Sequence, residues 1–258
     1  MEILRFSSCE RQSNEDVSRN GVDTVSIAAE PKIPRYTLKG LRRYLETIIA
    51  PPMEFNEEFR FRLSTYQTSL LEVSAPHLVY HPVSPVVLDL GAGAGKLSAA
   101  LLNCFSEQPG SDDCGRAVVI PVEVSSLVLH WIARTFGMLG VVGVGEALPF
   151  KSGAFTGVMI AQVMEFIPQV FRQAVALEIT RVLYPGGILV LSGMEAWALE
   201  AYVLDFNISK EMPMMFSPYP TQRELLLLFN RRSFSLLHHE HIDCVNAGDA
   251  YVLILRRL

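Results

Sequence analysis

The strongest signal for the fold of this chain is the stretch V-V-L-D-L-G-A-G-A-G-K-L-S at residues 86–98. Its first five residues predict a buried strand that contains Asp89, and the three alternating glycines that follow predict a tight turn. A helix is predicted from Lys96 to Phe105, because apolar residues recur there at helical spacing. A strand, a glycine turn and a helix in this order begin a βαβ unit, so the stretch predicts an α/β fold.

The alternation of short apolar runs and helical periods continues along the chain. The runs that predict strands lie at 117–124, 140–144, 157–161 and 187–192. The periodic segments that predict helices lie at 126–136, 171–184 and 221–230. Two late strands, 233–241 and 251–255, flank turn residues at 247–249 and are expected to pair as a hairpin. We therefore predict a Rossmann-like, doubly wound sheet of seven mostly parallel strands with an antiparallel C-terminal hairpin.

Composition and pattern divide the chain into three parts. Residues 1–34 mix polar and charged side chains without a sustained period, which predicts a flexible N-terminal tail. Residues 35–83 carry two helical periods with many aromatic side chains, the second at 53–73, and predict an N-terminal helical appendage. Residues 84–258 carry the strand and helix alternation and predict the ligand-binding domain.

Charge and cysteine content limit the classes of function. The 22 basic and 27 acidic side chains give a net charge of -5, which argues against a broad surface for nucleic acid or anionic lipid. No run of about eighteen apolar residues predicts a membrane span. The four cysteines lack a C-x-x-C pair, which fits a reducing, cytoplasmic setting. His238, His239 and His241 lie in a predicted strand, where at most two share a face, so no metal site is predicted.

The glycine turn lies where open α/β sheets bind ligands, at the carboxyl end of the first strand. A phosphate-binding loop is excluded, because Leu90 and Leu97 stand where its first glycine and its hydroxyl residue are required. A dinucleotide-binding turn is excluded by Lys96, which stands at the position of the third glycine. A turn that serves tight packing alone remains as an alternative.

An acidic residue marks the end of the second predicted strand. The sequence V-E-V at 122–124 places Glu123 at the strand tip, where a carboxylate can accept hydrogen bonds from the two vicinal hydroxyls of a ribose. Since neighbouring parallel strands end at the same edge of a sheet, the glycine turn and Glu123 together predict a site for a nucleoside.

These features resemble the class I S-adenosylmethionine-dependent methyltransferases, in which alternating glycines follow a strand ending in Asp. The run V-G-V-G-E-A-L-P-F-K-S-G-A-F-T-G-V-M at 142–159 resembles the family's third region. The run R-V-L-Y-P-G-G-I-L-V-L-S at 181–192 is similar to the turn before the fifth strand of small-molecule methyltransferases of the type 11 group. The resemblance covers residues 84–258 and implies S-adenosylmethionine as cofactor and methyl transfer to a small acceptor.

The resemblance also implies which residues surround the cofactor. They are Asp89, Gly91, Ala92, Gly93, Gly95, Glu123, Val124, Ala147, Leu148, Ala161 and Gln162. The first five would line the methionine part, and Glu123 would hold the ribose while Val124 packs on the adenine. Ala147 and Leu148 would lie at the adenine edge, and Ala161 and Gln162 would reach the methionine amino group.

Two positions depart from the family pattern. Val144 and Thr156 stand where the family usually has acidic residues, the first of which contacts the adenine amine. Losing one such hydrogen bond costs about 1 kcal/mol, so we expect weaker cofactor binding, with Glu146 as a substitute for the missing acid. The alternatives are a non-catalytic protein that keeps the fold, or a methyltransferase for RNA or protein.

Glu165, just past the fourth predicted strand, is the candidate catalytic base or orienting group. Its alternative is an acid on a solvated helix start. Tyr66 and Tyr202 are weaker candidates. The aromatic appendage and the apolar stretches 196–206 and 212–216 predict a cover for a lipophilic or aromatic acceptor, with packing alone as the alternative.

Overall fold

The computed structural model describes residues 63–79, 84–106, 117–194, 220–242 and 250–258. The predicted tail, the first helix of the appendage, the stretches 196–206 and 212–216, Tyr202 and the hairpin turn lie outside the described residues. The division into tail, appendage and ligand-binding domain stays a prediction. None of the helices in the described ranges is long and apolar enough to cross a membrane.

Strands and helices alternate along the described chain. In chain order the elements are α1 (Thr65–Val79), β1 (Val86–Leu90), α2 (Lys96–Ser106), β2 (Val118–Glu123), α3 (Ser126–Phe136), β3 (Val141–Val142), β4 (Phe155–Ala161), α4 (Gln169–Val182), β5 (Leu183–Met194), α5 (Gln222–Leu228), β6 (Phe234–Ile242) and β7 (Ala250–Arg257).

The strands form one seven-stranded sheet in the order β3-β2-β1-β4-β5-β7-β6. The pairs from β3 to β5 are parallel, whereas β7 pairs antiparallel with both β5 and β6. The predicted doubly wound sheet with its antiparallel hairpin is therefore confirmed. The strand order reverses between β1 and β4, and the crevice at such a reversal is where open α/β sheets bind ligands.

Apolar side chains cover both faces of the sheet. Val87 and Leu88 are adjacent in β1 and belong to two different core clusters, because successive strand residues point to opposite faces. Helices α1, α2 and α3 cover the face of Val87, and α4 and α5 cover the face of Leu88. The central strands β1, β4, β5 and β7 are thus buried on both sides, which leaves the strand ends for a ligand.

Helix α1 differs from the sequence prediction at its C-terminal end. It continues to Val79 instead of ending at Val73, although Pro76 lies in its interior. Proline removes one helical hydrogen bond and usually ends a helix. Here Ala75 and Leu78 are buried on either side of it, so tertiary packing holds the helix together across the proline.

Two strands also differ from their predicted bounds. Strand β3 is limited to Val141–Val142, because Val144 forms an isolated bridge with Ala147 instead of continuing along β2. Strand β5 begins at Leu183, which pairs with Phe155 before an irregularity, and regular pairing resumes at Ile188. The Pro-Gly-Gly residues 185–187, predicted as a turn before the strand, therefore form an irregularity within β5.

Candidate functional site

The glycine turn closes over the end of the neighbouring strand. The backbone N–H groups of Gly91 and Ala92 both donate to the carbonyl oxygen of Val122, at 2.8 and 3.2 Å. The N–H of Gly95 donates to the carbonyl of Ala92 at 2.8 Å, which completes the turn before α2. The turn therefore lies at the carboxyl edge of β1 and β2, as the sequence predicted.

Two of the glycines serve different purposes. A Cβ atom at Gly91 would lie 2.4 Å from a methyl carbon of Val163, so close packing requires glycine there. A Cβ atom at Gly93 would find nothing nearer than the carbonyl oxygen of Gly91, at 4.0 Å. Gly93 has a φ of 51°, which favours glycine, and its backbone faces open space. Packing alone therefore explains Gly91 but not Gly93.

The Glu123 carboxylate lies directly against this turn. Its Oε2 accepts a hydrogen bond from the Gly93 N–H at 3.1 Å, and its Oε1 accepts one from the Val124 N–H at 2.6 Å. Burial raises the pKa of Glu123, and the N–H donors of Val124, Gly93 and Ser125 oppose that rise. The structure thus brings together the two features from which the sequence predicted a nucleoside site.

Asp89 is a second buried carboxyl at the same edge. It is 2% exposed and accepts a hydrogen bond from the hydroxyl of Ser98 in the first turn of α2. Burial raises its pKa to about 7, the Ser98 hydrogen bond opposes the rise, and the charge of Glu123 adds to it. Two acids that disfavour each other's charge suit a cationic ligand, which would stabilise both carboxylates.

The end of β4 carries a strained residue. Gln162 has a φ of 56°, in the left-handed region that non-glycine residues rarely adopt, and its N–H donates to the Ser192 carbonyl at 2.8 Å. Residues held in such conformations cluster at functional sites. Ala161 lies before it at the strand end and is half-buried.

The segment after β3 contains the predicted adenine contacts. Val144 is buried, and its carbonyl accepts the Ala147 N–H at 3.2 Å. Leu148 is buried in the core, whereas Ala147 is half-buried. Glu146 lies between the two bridged residues, and burial raises its pKa. The position of the usual acid is therefore apolar and buried, and the nearest carboxylate along the chain is that of Glu146.

Thr156 lies away from the site, which corrects the expectation that its presence weakens cofactor binding. Its hydroxyl oxygen accepts the Val86 N–H at 2.9 Å and lies 3.2 Å from the Val86 carbonyl, to which it donates. Both residues are at the starts of their strands, at the opposite edge of the sheet from the glycine turn. The hydroxyl therefore joins β1 to β4 and has no contact with the predicted ligand.

Glu165 does not lie on a solvated helix start. It is 2% exposed and precedes α4, which begins at Gln169. Its Oε1 accepts the Met194 N–H at 3.0 Å, and its buried Oε2 has no hydrogen-bond partner among the described residues. Burial raises its pKa to about 7, and its own N–H, that of Met194 and the charge of Arg172 oppose the rise. A buried carboxyl with one unused oxygen can accept a proton from a ligand near neutral pH.

Gly193 makes room for Glu165 and Tyr251. A Cβ atom at Gly193 would lie 2.6 Å from the Glu165 Oε1 and 2.6 Å from the Tyr251 hydroxyl oxygen. These contacts place both side chains over the end of β5.

Helix α1 reaches the other face of this strand end. The Tyr66 hydroxyl donates to the Ser192 Oγ at 2.8 Å, and the Ser192 hydroxyl donates to the Tyr251 carbonyl at 2.7 Å. The appendage is therefore attached next to the carboxyl edge of β4 and β5.

Sequence reasoning missed Ser98, Ser192 and Tyr251 as members of these networks. Ser98 and Ser192 interrupt otherwise apolar patterns of α2 and β5, and that interruption was the available signal. Tyr251 had no signal, because a tyrosine in an apolar strand is typical of a core.

The histidines of β6 lie outside this site. The rings of His239 and His241 are 5.2 Å apart, whereas the His238 Nε2 lies 2.9 Å from a Glu240 carboxylate oxygen. The two pairs follow the predicted alternation of faces. Within the part of the chain that the structure describes, no group of three potential metal ligands is found.

Comparison with known families and curated proteins yields one match. Residues 88–191 match the family described as "Methyltransferase domain", which covers β1 to β5 with the glycine turn, Glu123 and Glu165. Among curated proteins, none matches the chain by sequence.

Solved structures share the fold at low sequence identity. The N-methyltransferase NodS from Bradyrhizobium japonicum, in complex with S-adenosylhomocysteine, has a TM-score of 0.60 and 12% identity over 86% of this chain and 98% of its own. A 1,6-didemethyltoxoflavin-N1-methyltransferase from Burkholderia thailandensis has a TM-score of 0.59 and 17% identity over 90% and 93%. The magnesium protoporphyrin IX methyltransferase from Synechocystis has a TM-score of 0.60 and 14% identity over 86% and 100%.

Proposed function

We propose that this chain is a class I S-adenosylmethionine-dependent methyltransferase and that it transfers a methyl group to a small lipophilic or aromatic molecule. The match of residues 88–191 to a methyltransferase domain supports the proposal. The observation that carries the proposal is the hydrogen bond from the Gly93 N–H to the Glu123 carboxylate. This bond joins the glycine turn after β1, beside the reversal point of the sheet, to Glu123, the acid that would bind the ribose. We also infer a cytoplasmic location from the cysteine pattern.

The residues at the carboxyl edge of β1 and β2 fit S-adenosylmethionine. Open space at Gly93 accommodates a ligand against the backbone, and the remaining lone pairs of Glu123 accept two ribose hydroxyls. Asp89, with a pKa of about 7, ionises readily when a cationic group lies nearby. When bound, S-adenosylmethionine supplies an activated methyl group on a positively charged sulfur.

Other residues would hold the two ends of the cofactor. Gln162, kept in its left-handed conformation by the bond to Ser192, would face the methionine amino group beside Ala161. Val124, Ala147 and Leu148 would form the adenine side, with Glu146 in place of the missing acid. These assignments follow the order of the strands, and Gly91, Ala92 and Gly95 complete the turn.

Glu165 is the proposed base or orienting group for the acceptor. Its unused Oε2 is buried near the ends of β4 and β5, at the other side of the reversal point from Glu123. When the acceptor atom is a nitrogen or oxygen that carries a proton, Glu165 would take this proton at Oε2 as the acceptor atom bonds the methyl carbon. The carbon–sulfur bond would break in the same step, and neutral S-adenosylhomocysteine would leave. The low polarity around the carboxyl favours the neutral product of that transfer.

The nature of the acceptor rests on three observations. Tyr66 attaches the aromatic appendage beside this edge, so α1 is placed to cover an acceptor. The net charge of -5 argues against nucleic acid as substrate. Two enzymes with the same fold are named for the small molecules 1,6-didemethyltoxoflavin and magnesium protoporphyrin IX.

Calorimetric titration with S-adenosylhomocysteine tests this function. We expect saturable binding in the micromolar range, since the site combines a charged ribose acceptor with an apolar adenine side. An absence of heat at millimolar ligand would instead favour a non-catalytic protein, the reading that the buried Val144 supports. Transfer of radiolabelled methyl groups to a panel of phenols, aromatic amines and heterocycles would then identify the acceptor class.

A further inference from the structure

Two charged residues of α4 hold the segment that follows β3, which we call the adenine loop (residues 143–150). Glu178 accepts the Leu148 N–H at its Oε2, at 2.8 Å. Arg181 donates to the Leu148 carbonyl at 3.0 Å and to the Phe150 carbonyl at 2.6 Å. Three backbone polar groups of the loop are thus bonded to two neighbouring side chains of one helix.

The two side chains also bind each other in a fixed geometry. The Arg181 Nε donates to the Glu178 Oε1 at 2.7 Å, and its Nη2 donates to Oε2 at 2.8 Å. A two-point contact between guanidinium and carboxylate fixes orientation as well as distance. The side chains of Arg181 and Glu178 are 34% and 20% exposed, and the Arg181 hydrogen bond lowers the pKa of Glu178, which keeps it charged.

The loop itself has one polar side chain, Glu146, in the sequence G-V-G-E-A-L-P-F at 143–150, so its backbone position matters for recognising a base. Val144 supplies no carboxylate for the adenine amine, and the bond between the Ala147 N–H and the Val144 carbonyl leaves the turn short and apolar. Discrimination of the base then depends on where the backbone and the Glu146 carboxyl are placed. The Leu148 N–H, two residues after Glu146, is bonded to Glu178.

We propose that Glu178 and Arg181 are positioning residues that set the selectivity of this site for adenine over other bases. The inference rests on the proposed function, in which the adenine loop faces the base. Neither residue touches the ligand, and both act through the backbone of Leu148 and Phe150. The Gly153 N–H, three residues after the loop, donates to the Arg181 backbone carbonyl at 2.8 Å, and this bond depends on neither side chain.

The test compares two ligands that differ in the base alone. S-adenosylhomocysteine and S-inosylhomocysteine are titrated into the full chain by calorimetry, for the wild type and for Glu178→Gln, Arg181→Lys and the control Gln173→Ala. Gln173 is exposed on the same helix and bonds to none of these loop groups. Thermal unfolding of each variant is measured in parallel.

We expect the wild type to prefer the adenine ligand, and Glu178→Gln to lose about fivefold in affinity for it, as for one hydrogen bond. Glu178→Gln should lose less affinity for S-inosylhomocysteine, so the ratio of its affinities for the adenine and inosine ligands should fall below that of the wild type. In Arg181→Lys this ratio should fall by a smaller factor. The control should keep both affinities.

The inference would be overturned if a variant lost affinity equally for both ligands, or if the affinity ratio stayed unchanged while the melting temperature fell. Glu178 and Arg181 would then only stabilise the fold. A wild type that binds both ligands equally would overturn it as well, while leaving the proposed function intact. A wild type that binds neither ligand would instead remove the proposed function itself. If Glu178→Gln does not fold, Arg181→Lys still tests the inference, because it keeps the positive charge and removes the two-point contact with Glu178.

Discussion

The two halves of the carboxyl edge are built differently. In the half formed by β1 and β2, the acid Glu123 is satisfied by backbone N–H groups of its own strand end and of the adjacent turn, 30 residues away. In the half formed by β4 and β5, Tyr66 reaches Ser192 across 126 residues, and the buried Glu165 keeps an unused oxygen. In the first half, hydrogen bonds within one βαβ unit fix the position of Glu123. The second half is assembled from segments far apart in the chain, and its Glu165 has an oxygen without a hydrogen-bond partner among the described residues.

The comparison separates the ribose and adenine contacts, which we propose in the first half, from the base Glu165, which we propose in the second. Gln162 at the end of β4 would face the methionine end of the cofactor between them. A carboxylate whose orientation is fixed by backbone N–H groups binds a ligand through its remaining lone pairs with little reorganisation, whereas a buried carboxyl with an unbonded oxygen can accept a proton. Substitutions in the two halves should therefore affect different measurements.

Glu165→Gln should lower the rate of methyl transfer by about 100-fold or more, because general base catalysis contributes at least that factor. Affinity for S-adenosylhomocysteine should stay within about twofold, because Glu165 is not among the proposed cofactor contacts and its carboxylate is bonded to the Met194 N–H. Single-turnover kinetics with an acceptor found in the screen measure the first, and calorimetry measures the second. If cofactor affinity falls as much as the rate, the two halves are not separate.

Glu123→Ala should weaken S-adenosylhomocysteine binding by one to two orders of magnitude, about 1.4 to 3 kcal/mol, through loss of the ribose hydrogen bonds. The matched control is Glu72→Ala, which removes an exposed acid of α1 and should leave affinity unchanged. Calorimetric titration decides the outcome. Equal affinity of Glu123→Ala and the wild type would exclude Glu123 from the site.

Affinity for S-adenosylmethionine should rise as the pH rises through about 7, the pKa to which burial raises Asp89. Below that pH the carboxyl is neutral and cannot stabilise a cation, so binding should weaken roughly tenfold between pH 8 and pH 6. Asp89→Asn should flatten the profile. A profile that keeps its slope in this variant would assign the titration to another group.

The same carboxyl makes the opposite contribution to stability. Its pKa in the folded protein lies above the ordinary value of 3.8, so its contribution is greatest below that value and is lost as pH rises toward about 7. The free energy of unfolding of Asp89→Asn should therefore depend less on pH over this range than that of the wild type. Denaturant titrations at several pH values measure the difference.

Tyr66→Phe should have the smallest effect, a loss of about 1 kcal/mol in the free energy of unfolding. The substitution removes the hydroxyl that donates to Ser192 and keeps the buried ring. S-adenosylhomocysteine affinity should not change, because Tyr66 contacts the Ser192 side chain, whereas Gln162 is held by the Ser192 backbone carbonyl. Urea unfolding with and without the ligand measures both quantities, and a large loss of ligand affinity would contradict the division.

Elements with strong periodicity were predictable close to their ends. The helix predicted from Lys96 to Phe105 extends one residue further, and the helix predicted at 126–136 coincides with α3. The end of α1 was not predictable, because burial of Leu78 outweighs the local cost of Pro76. Local signals decide boundaries only where tertiary contacts do not oppose them.

The contact between the glycine turn and Glu123 was predictable from the sequence, because both are local features at adjacent strand ends whose relation follows from parallel pairing. Tertiary structure alone decided that Glu165 is buried, that Thr156 joins two strands away from the site, and that Tyr66 meets Ser192. These facts depend on contacts between segments far apart in the chain. Periodicity shows which face of an element is apolar, but it does not show which distant side chain that face will contact.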